Sequence, residues 1–101
     1  MNKKIRTDAV NQLFDAILTL ETREECYSFF EDVCTINELL SFAQRYAVAT
    51  MLDENKTYLD IAEQTGASTA TISRVNRSLN YGCDGYALVF ERLKNKENDN
   101  E

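Results

Sequence analysis

Apolar positions recur at helical spacing along nearly the whole chain. Val10, Leu13, Phe14, Ile17 and Leu20 give the i, i+3, i+4, i+7 stripe of a first helix. Thr7 is placed to cap its start, and Asp8 suits the positive end of its dipole. Thr22-x-x-Glu25 is a capping box that opens a second helix, with Cys26, Phe29, Phe30 and Val33 as its apolar stripe. The same box at Thr35-x-x-Glu38 opens a third helix running to about Glu54.

The third helix differs from the others. Between Leu39 and Leu52 its polar residues are Ser41, Gln44, Arg45 and Thr50, and apolar residues cover most of its circumference. A helix apolar nearly all round is buried on several sides. It is either the central core helix of a monomer or the centre of an intertwined dimer, and the shortage of other elements in so short a chain favours the dimer.

Asp53-Glu54-Asn55-Lys56 reads as a turn. Thr57 then caps a short helix from Tyr58 to Thr65, which Gly66 breaks by taking a positive φ. Ser68 caps the next helix, to about Asn80. Tyr81 to Gly85 is a loop in which Asp84 is placed to cap an amphipathic last helix from Tyr86 to Lys94. The expected organisation is one all-α domain over residues 1–95 and a polar tail over 96–101, frayed at the end.

Two short helices joined through a glycine, over about residues 58–80, have the spacing of a helix-turn-helix. Ala62 is the small residue where the helices touch, Gly66 makes the turn, and Ile61, Ile72 and Val75 are the apolar anchors. The second helix opens Ser68-Thr69-Ala70-Thr71, short side chains of the kind that a recognition helix presents to base edges. Hydroxyls can bond those edges, and Thr or Ala methyls can touch a thymine methyl. The expected DNA-binding residues are Ser68 at the helix start, Thr69, Ala70, Thr71 and Ser73 for base readout, and Tyr58 and Arg77 near phosphates. A capped surface helix that merely lacks acids would share this composition without the motif's spacing.

Charge first argues against that reading, then qualifies it. The chain of 101 residues has a net charge of −6, unusual for a nucleic-acid binder. Distribution matters more than the average. From Glu21 to Asp32 there are five acids and one base, whereas from Gln64 to Asn80 there are two bases, Arg74 and Arg77, and no acid.

Enzyme chemistry finds no support in the pattern. Histidine is absent and the three cysteines, Cys26, Cys34 and Cys83, match no zinc or redox spacing. Cys26 and Cys34, among apolar residues, are expected to be buried reduced thiols. No metal or cofactor is expected. No apolar run approaches the about 20 residues of a membrane span. No apolar h-region follows the opening MNKKIR, so the expected compartment is the cytoplasm.

The motif resembles the Trp repressor superfamily, and most closely its small TrpR-like bacterial proteins. The likeness is carried by Thr57-Tyr58-x-x-Ile61-Ala62-x-x-Thr65-Gly66-Ala67-Ser68-Thr69-Ala70-Thr71-Ile72-Ser73-Arg74-Val75, then Ser78-Leu79 and Tyr81-Gly82-x-x-Gly85-Tyr86. The resemblance implies an all-α homodimer with interlaced helices and two recognition helices one DNA turn apart.

It also implies an effector pocket in which a tryptophan corepressor lies between two arginines. These fall at Arg45 and Arg74, with a threonine at Thr35 and a serine at Ser78. Val75 stands where the family has glycine, so a flat indole would meet two methyl groups that a β-branched side chain cannot easily swing aside. Plainer roles are open for each residue: an ion pair for Arg45, a phosphate contact or helix-face ion pair for Arg74, and the helix cap for Thr35.

The resulting expectation is a homodimeric, sequence-specific transcriptional repressor. It binds double-stranded DNA, does not depend on tryptophan, and has room for an unidentified small-molecule effector. The alternative is a protein-interaction module of the same fold that has lost DNA binding.

Overall fold

The computed structural model describes residues 3–99. They form a 3-10 turn at Lys3–Ile5 and six α-helices: α1 (Asp8–Ile17), α2 (Arg23–Val33), α3 (Ile36–Asp53), α4 (Tyr58–Thr65), α5 (Thr69–Tyr81) and α6 (Gly85–Asp99). No strand occurs among the described residues, and no helix there is long and apolar enough to cross a membrane. The all-α reading holds.

The predicted caps form. The side chains of Thr7, Thr22, Thr57 and Ser68, all with extended backbone, accept the N–H of Val10, Glu25, Asp60 and Thr71. The box at Thr35 closes in both directions: Glu38 N–H donates to Thr35 Oγ1 at 3.1 Å, and Thr35 N–H donates to Glu38 Oε1 at 2.9 Å. The Thr35 N–H, and after it the Thr35 side chain, hydrogen-bonds the Glu38 carboxylate and holds that carboxyl below the usual range. At Thr22 the return bond lands one residue earlier, from Glu21 N–H to Glu25 Oε1.

Several boundaries differ from the expectation. α1 stops at Ile17, so Leu20 lies outside it. There Thr19 Oγ1 donates to Ala16 O at 2.7 Å, and the chain closes in i→i+3 turns instead of another helical turn. α6 starts at Gly85 and runs to Asp99, past the expected end at Lys94. Lys94, Lys96 and Glu97 are good helix formers, and polarity alone does not stop a helix. Of the expected tail, residues 96–99 are thus helical, and residues 100–101 lie outside the described ones. Asp84 precedes α6 with a left-handed backbone, φ 62, instead of the extended geometry of the other caps.

The chain divides between Leu39 and Leu40 into two compact units. Among its described residues the first has none buried. Cys26, expected buried, is exposed, and Cys34 is half-buried; all three cysteines are free. The stripe of α2 has nothing of its own unit thick enough to cover it, although Phe29 and Phe30 meet edge to face at 5.5 Å.

The second unit has a core. Val48 and Ala49 of α3, Ile61 of α4, Ala67 of the turn, and Ile72 and Val75 of α5 are buried together, with Met51, Leu52, Ala62, Tyr86 and Phe90 packed against them. Each fully buried aliphatic side chain contributes about 1.5–3 kcal/mol of transfer free energy. Only Val48 and Ala49 of α3 are buried within one chain; Ile36, Leu40, Phe42 and Tyr46 are exposed.

Candidate functional site

The helix pair α4–α5, read from sequence as a helix-turn-helix, lies wholly in the second unit. All three predicted anchors are buried: Ile61 and Ile72 fully, Val75 to 3% exposure. Gly66 takes φ 73 and ψ 5, and its N–H donates to Ala62 O at 2.9 Å. An L side chain would be strained there. Thr65 stitches the corner, its hydroxyl donating to Ile61 O at 2.7 Å and accepting from Ala67 N–H at 3.1 Å. From outside the motif, Gln44 Nε2 donates to Thr65 O at 3.1 Å. That bond satisfies one of the carbonyls a helix C-terminus leaves orphaned.

α5 has two distinct sides. At 100° per residue, Thr69, Ser73, Asn76 and Asn80 fall within about 60° of one another, with Ala70 and Arg77 on the flank. Ser68, Thr69, Ala70, Ser73, Arg77 and Asn80 are exposed, and Asn76 is half-buried. Tyr58, the first residue of α4, is 37% exposed. Thr71, Arg74, Val75 and Ser78 share a second side, within about 100°. Thr71, expected among the base-reading residues, is half-buried and sits on this side, away from Thr69 and Ser73. Its Oγ1 accepts from Ser68 Oγ at 3.1 Å.

That second side lines a cavity of about 250 Å³. Its walls are Thr71, Arg74, Val75 and Ser78 of α5, Ser41, Gln44 and Arg45 of α3, and Tyr86 of α6. Four of the five expected effector residues are therefore together. The fifth, Thr35, belongs to the first unit, where it caps α3 with Glu38. Arg45 is held in place: its guanidinium donates to Ser41 Oγ at 3.1 Å and lies 5.3 Å from the centre of the Phe42 ring. No carboxylate lines the cavity, so its two guanidinium groups give it a positive field.

Sequence reasoning missed Ser41, Gln44 and Tyr86. The signal for two of them was present, because Ser41, Gln44 and Arg45 are the i, i+3, i+4 polar stripe of an otherwise apolar helix stretch. Tyr86 was visible only as the end of the family likeness, with no sign of a cavity: its ring is placed by stacking on Phe90 at 6.1 Å, a contact that helix spacing alone does not assign to a site.

A wider groove of about 450 Å³ in the first unit is lined by Thr19, Leu20, Glu24, Glu25, Ser28, Phe29 and Asp32. Its three carboxylates repel the anions that the arginine-lined cavity attracts. Among the described residues no cluster of cysteines and carboxylates has the arrangement to hold a metal ion.

Residues 8–94 match the family described as Trp repressor protein. The chain is 55% identical over 96 residues to the uncharacterized protein YerC of Bacillus subtilis (strain 168), a match spanning 95% of this chain and 92% of that one. A TrpR-like protein from Eubacterium eligens has a solved structure that superposes with a TM-score of 0.90 at 71% identity, covering 92% of this chain and 96% of its own. A Staphylococcus aureus protein provisionally designated a Trp repressor superposes with a TM-score of 0.88 at 54% identity, covering 91% and 92%.

Proposed function

This chain belongs to the Trp repressor family, and on that premise we propose that it is a homodimeric, sequence-specific transcriptional repressor that reads DNA with α5 and does not depend on L-tryptophan. The family is one of DNA-binding regulators, not of enzymes. The observation that carries the reading is the glycine-cornered pair α4–α5, in which α5 presents short side chains and Arg77 outward and carries no acid.

In this reading Ser68, Thr69, Ala70 and Ser73 face base edges, and Tyr58 and Arg77 position the protein on phosphates. Thr71 serves the cavity side of the helix. The homodimer is supported by the apolar residues one chain leaves exposed, Ile36 at 79% and Leu40 at 61% among them. A patch of that kind marks an interaction surface. The compartment is the cytoplasm.

Independence from tryptophan rests on Val75. Its side chain is buried in the core and forms part of the cavity wall, so one residue both braces α5 and sets two methyl groups where an indole would approach a glycine. The cavity between Arg45 and Arg74 is the place for an effector of another kind. The second reading, a protein-interaction module without DNA binding, is favoured by the net charge of −6.

A salt titration decides between the two. Affinity for DNA that falls steeply with rising salt supports the repressor, because phosphate contacts release counterions. Arg77→Ala should weaken binding to all sequences alike and reduce the salt slope by about 1. Absence of salt-dependent DNA binding supports the interaction module. Calorimetry with millimolar L-tryptophan should give no binding heat; tight binding with a matching rise in DNA affinity would overturn the tryptophan-independent reading.

A further inference from the structure

The reading side of α5 extends beyond the residues its sequence first suggests. Asn76 and Asn80 share that side with Thr69 and Ser73, and the two amides are bonded to each other. Asn80 Nδ2 lies 2.9 Å from the backbone oxygen of Asn76 and 3.1 Å from Asn76 Oδ1. A backbone carbonyl can only accept, so the Asn80 atom facing it must be the nitrogen. That nitrogen in turn requires an oxygen on Asn76, since two amide nitrogens would oppose donor to donor. The backbone thus sets the orientation of Asn80, and Asn80 sets that of Asn76. Asn76 Oδ1 is thereby turned toward Asn80 and already accepts one bond, so the group Asn76 has wholly free is its NH2, with two donors.

Position matches this chemistry. Asn76 is seven residues beyond Thr69, about 10.5 Å along the helix axis. A recognition helix contacts bases first through its N-terminal residues, and in the homeodomain variant of the motif those contacts span i to i+7. An asparagine free to turn prefers adenine, which shows one acceptor and one donor in the major groove. Guanine shows two acceptors, N7 and O6. An NH2 left free while its oxygen is engaged by Asn80 favours guanine.

We propose that Asn76 is a base-reading residue that selects guanine through N7 and O6, and that Asn80 is a positioning residue which fixes the Asn76 amide for that choice. The proposal rests on the DNA-binding reading given above and deepens it. It separates two effects that a simple structural role would merge. Loss of Asn76 removes a contact, whereas loss of Asn80 frees the amide to turn and widens the choice from guanine to either purine.

The test is selection of binding sites from randomised DNA by the full-length wild type, Asn76→Ala and Asn80→Ala, with affinities then measured on the selected site and its single-base variants. Circular dichroism and melting establish that the variants are folded; Asn80 is exposed near the end of α5 and Asn76 is half-buried at its middle. The wild type should require guanine at one position of each half-site. Asn76→Ala should lose preference at that position alone, with affinity for the guanine site falling roughly ten-fold. Asn80→Ala should accept guanine and adenine there about equally, with an unchanged salt slope.

Three results would overturn the inference while leaving DNA binding intact. They are an Asn76→Ala variant with wild-type preference at every position, a uniform loss on all sequences with a flatter salt slope, and an Asn80→Ala variant that keeps the strict guanine choice. A wild type that enriches no site at all overturns the DNA-binding reading and this inference with it.

Discussion

Set side by side, the two compact units treat their apolar residues in opposite ways. The unit from Leu40 onward gathers Val48, Ala49, Ile61, Ala67, Ile72 and Val75 into a core of its own. The unit before it has equally clear stripes and buries none of them: Phe14 is 52% exposed, Val33 51% and Ile36 79%. Amphipathic pattern predicts that a face will be covered, not which chain covers it. In the second unit three helices and a tight corner suffice. In the first, covering the stripes calls for a second protein surface, the role given above to a second copy.

The sharpest way to break this comparison is to charge the uncovered stripe. Ile36→Asp combined with Leu40→Asp should be almost harmless to a lone chain, since both sites are exposed there and an acid at the first position of α3 suits the helix dipole. If a second copy buries them, two unpaired carboxylates should cost about 5 kcal/mol of association. Equilibrium sedimentation should then fall from twice 11.6 kDa for the wild type to 11.6 kDa for the variant. A wild type already at the single-chain mass at micromolar concentration would end the dimer reading.

Cutting into the second unit's core comes next. Ile72→Ala removes a fully buried side chain and should destabilise by about 3 kcal/mol, seen as a lower urea midpoint with an unchanged slope. Leu18→Ala, at a position 80% exposed, should shift the midpoint by less than about 0.5 kcal/mol unless the partner covers it.

Gly66→Ala is smaller and purely conformational. Nothing lies within 4 Å of an added Cβ, so the cost of about 1–2 kcal/mol comes from holding an L residue at φ 73. It should appear as a lower melting temperature, and in DNA affinity only insofar as the corner shifts α5.

The smallest effect belongs to the first unit and depends on pH. Glu38 is held below its ordinary value by the Thr35 bonds, so its contribution is present above the usual glutamate range and fades as pH falls through the lowered value. Its carboxyl should titrate by NMR below an unstructured glutamate, and the Thr35 amide should lose protection, relative to its intrinsic exchange rate at each pH, on acidification. Glu38→Gln, which keeps the accepting oxygen, should remove the pH dependence and leave the cap.

Local signals were legible and collective ones were not. Thr57, Gly66 and Ser68 act within one turn of themselves, so their roles could be read from spacing. The ends of α1 and α6 were misplaced because Thr19 bonding back to Ala16 leaves little trace in the apolar pattern, and because a polar run after Lys94 is as compatible with helix as with coil. The side on which Thr71 falls follows from 100° arithmetic. Its chemistry, a short hydroxyl at a helix start, suited base reading just as well. Burial of Cys26 was inferred from its neighbours, and neighbours on a stripe report a face without reporting its cover.

The aromatic cluster has an optical consequence. Tyr46 lies 5.8 Å from Phe90 and 6.5 Å from Tyr86, whose ring stands in the cavity wall, and the chain contains no tryptophan. Tyrosine emission and near-ultraviolet dichroism therefore reach the detector unmasked by an indole, and two of the five tyrosines report from beside the cavity. Occupancy by a colourless ligand can be followed without a label. Light absorbed beyond the tyrosine band would come only from an added indole, so any tryptophan that did bind would reveal itself by the colour and polarisation of its own fluorescence.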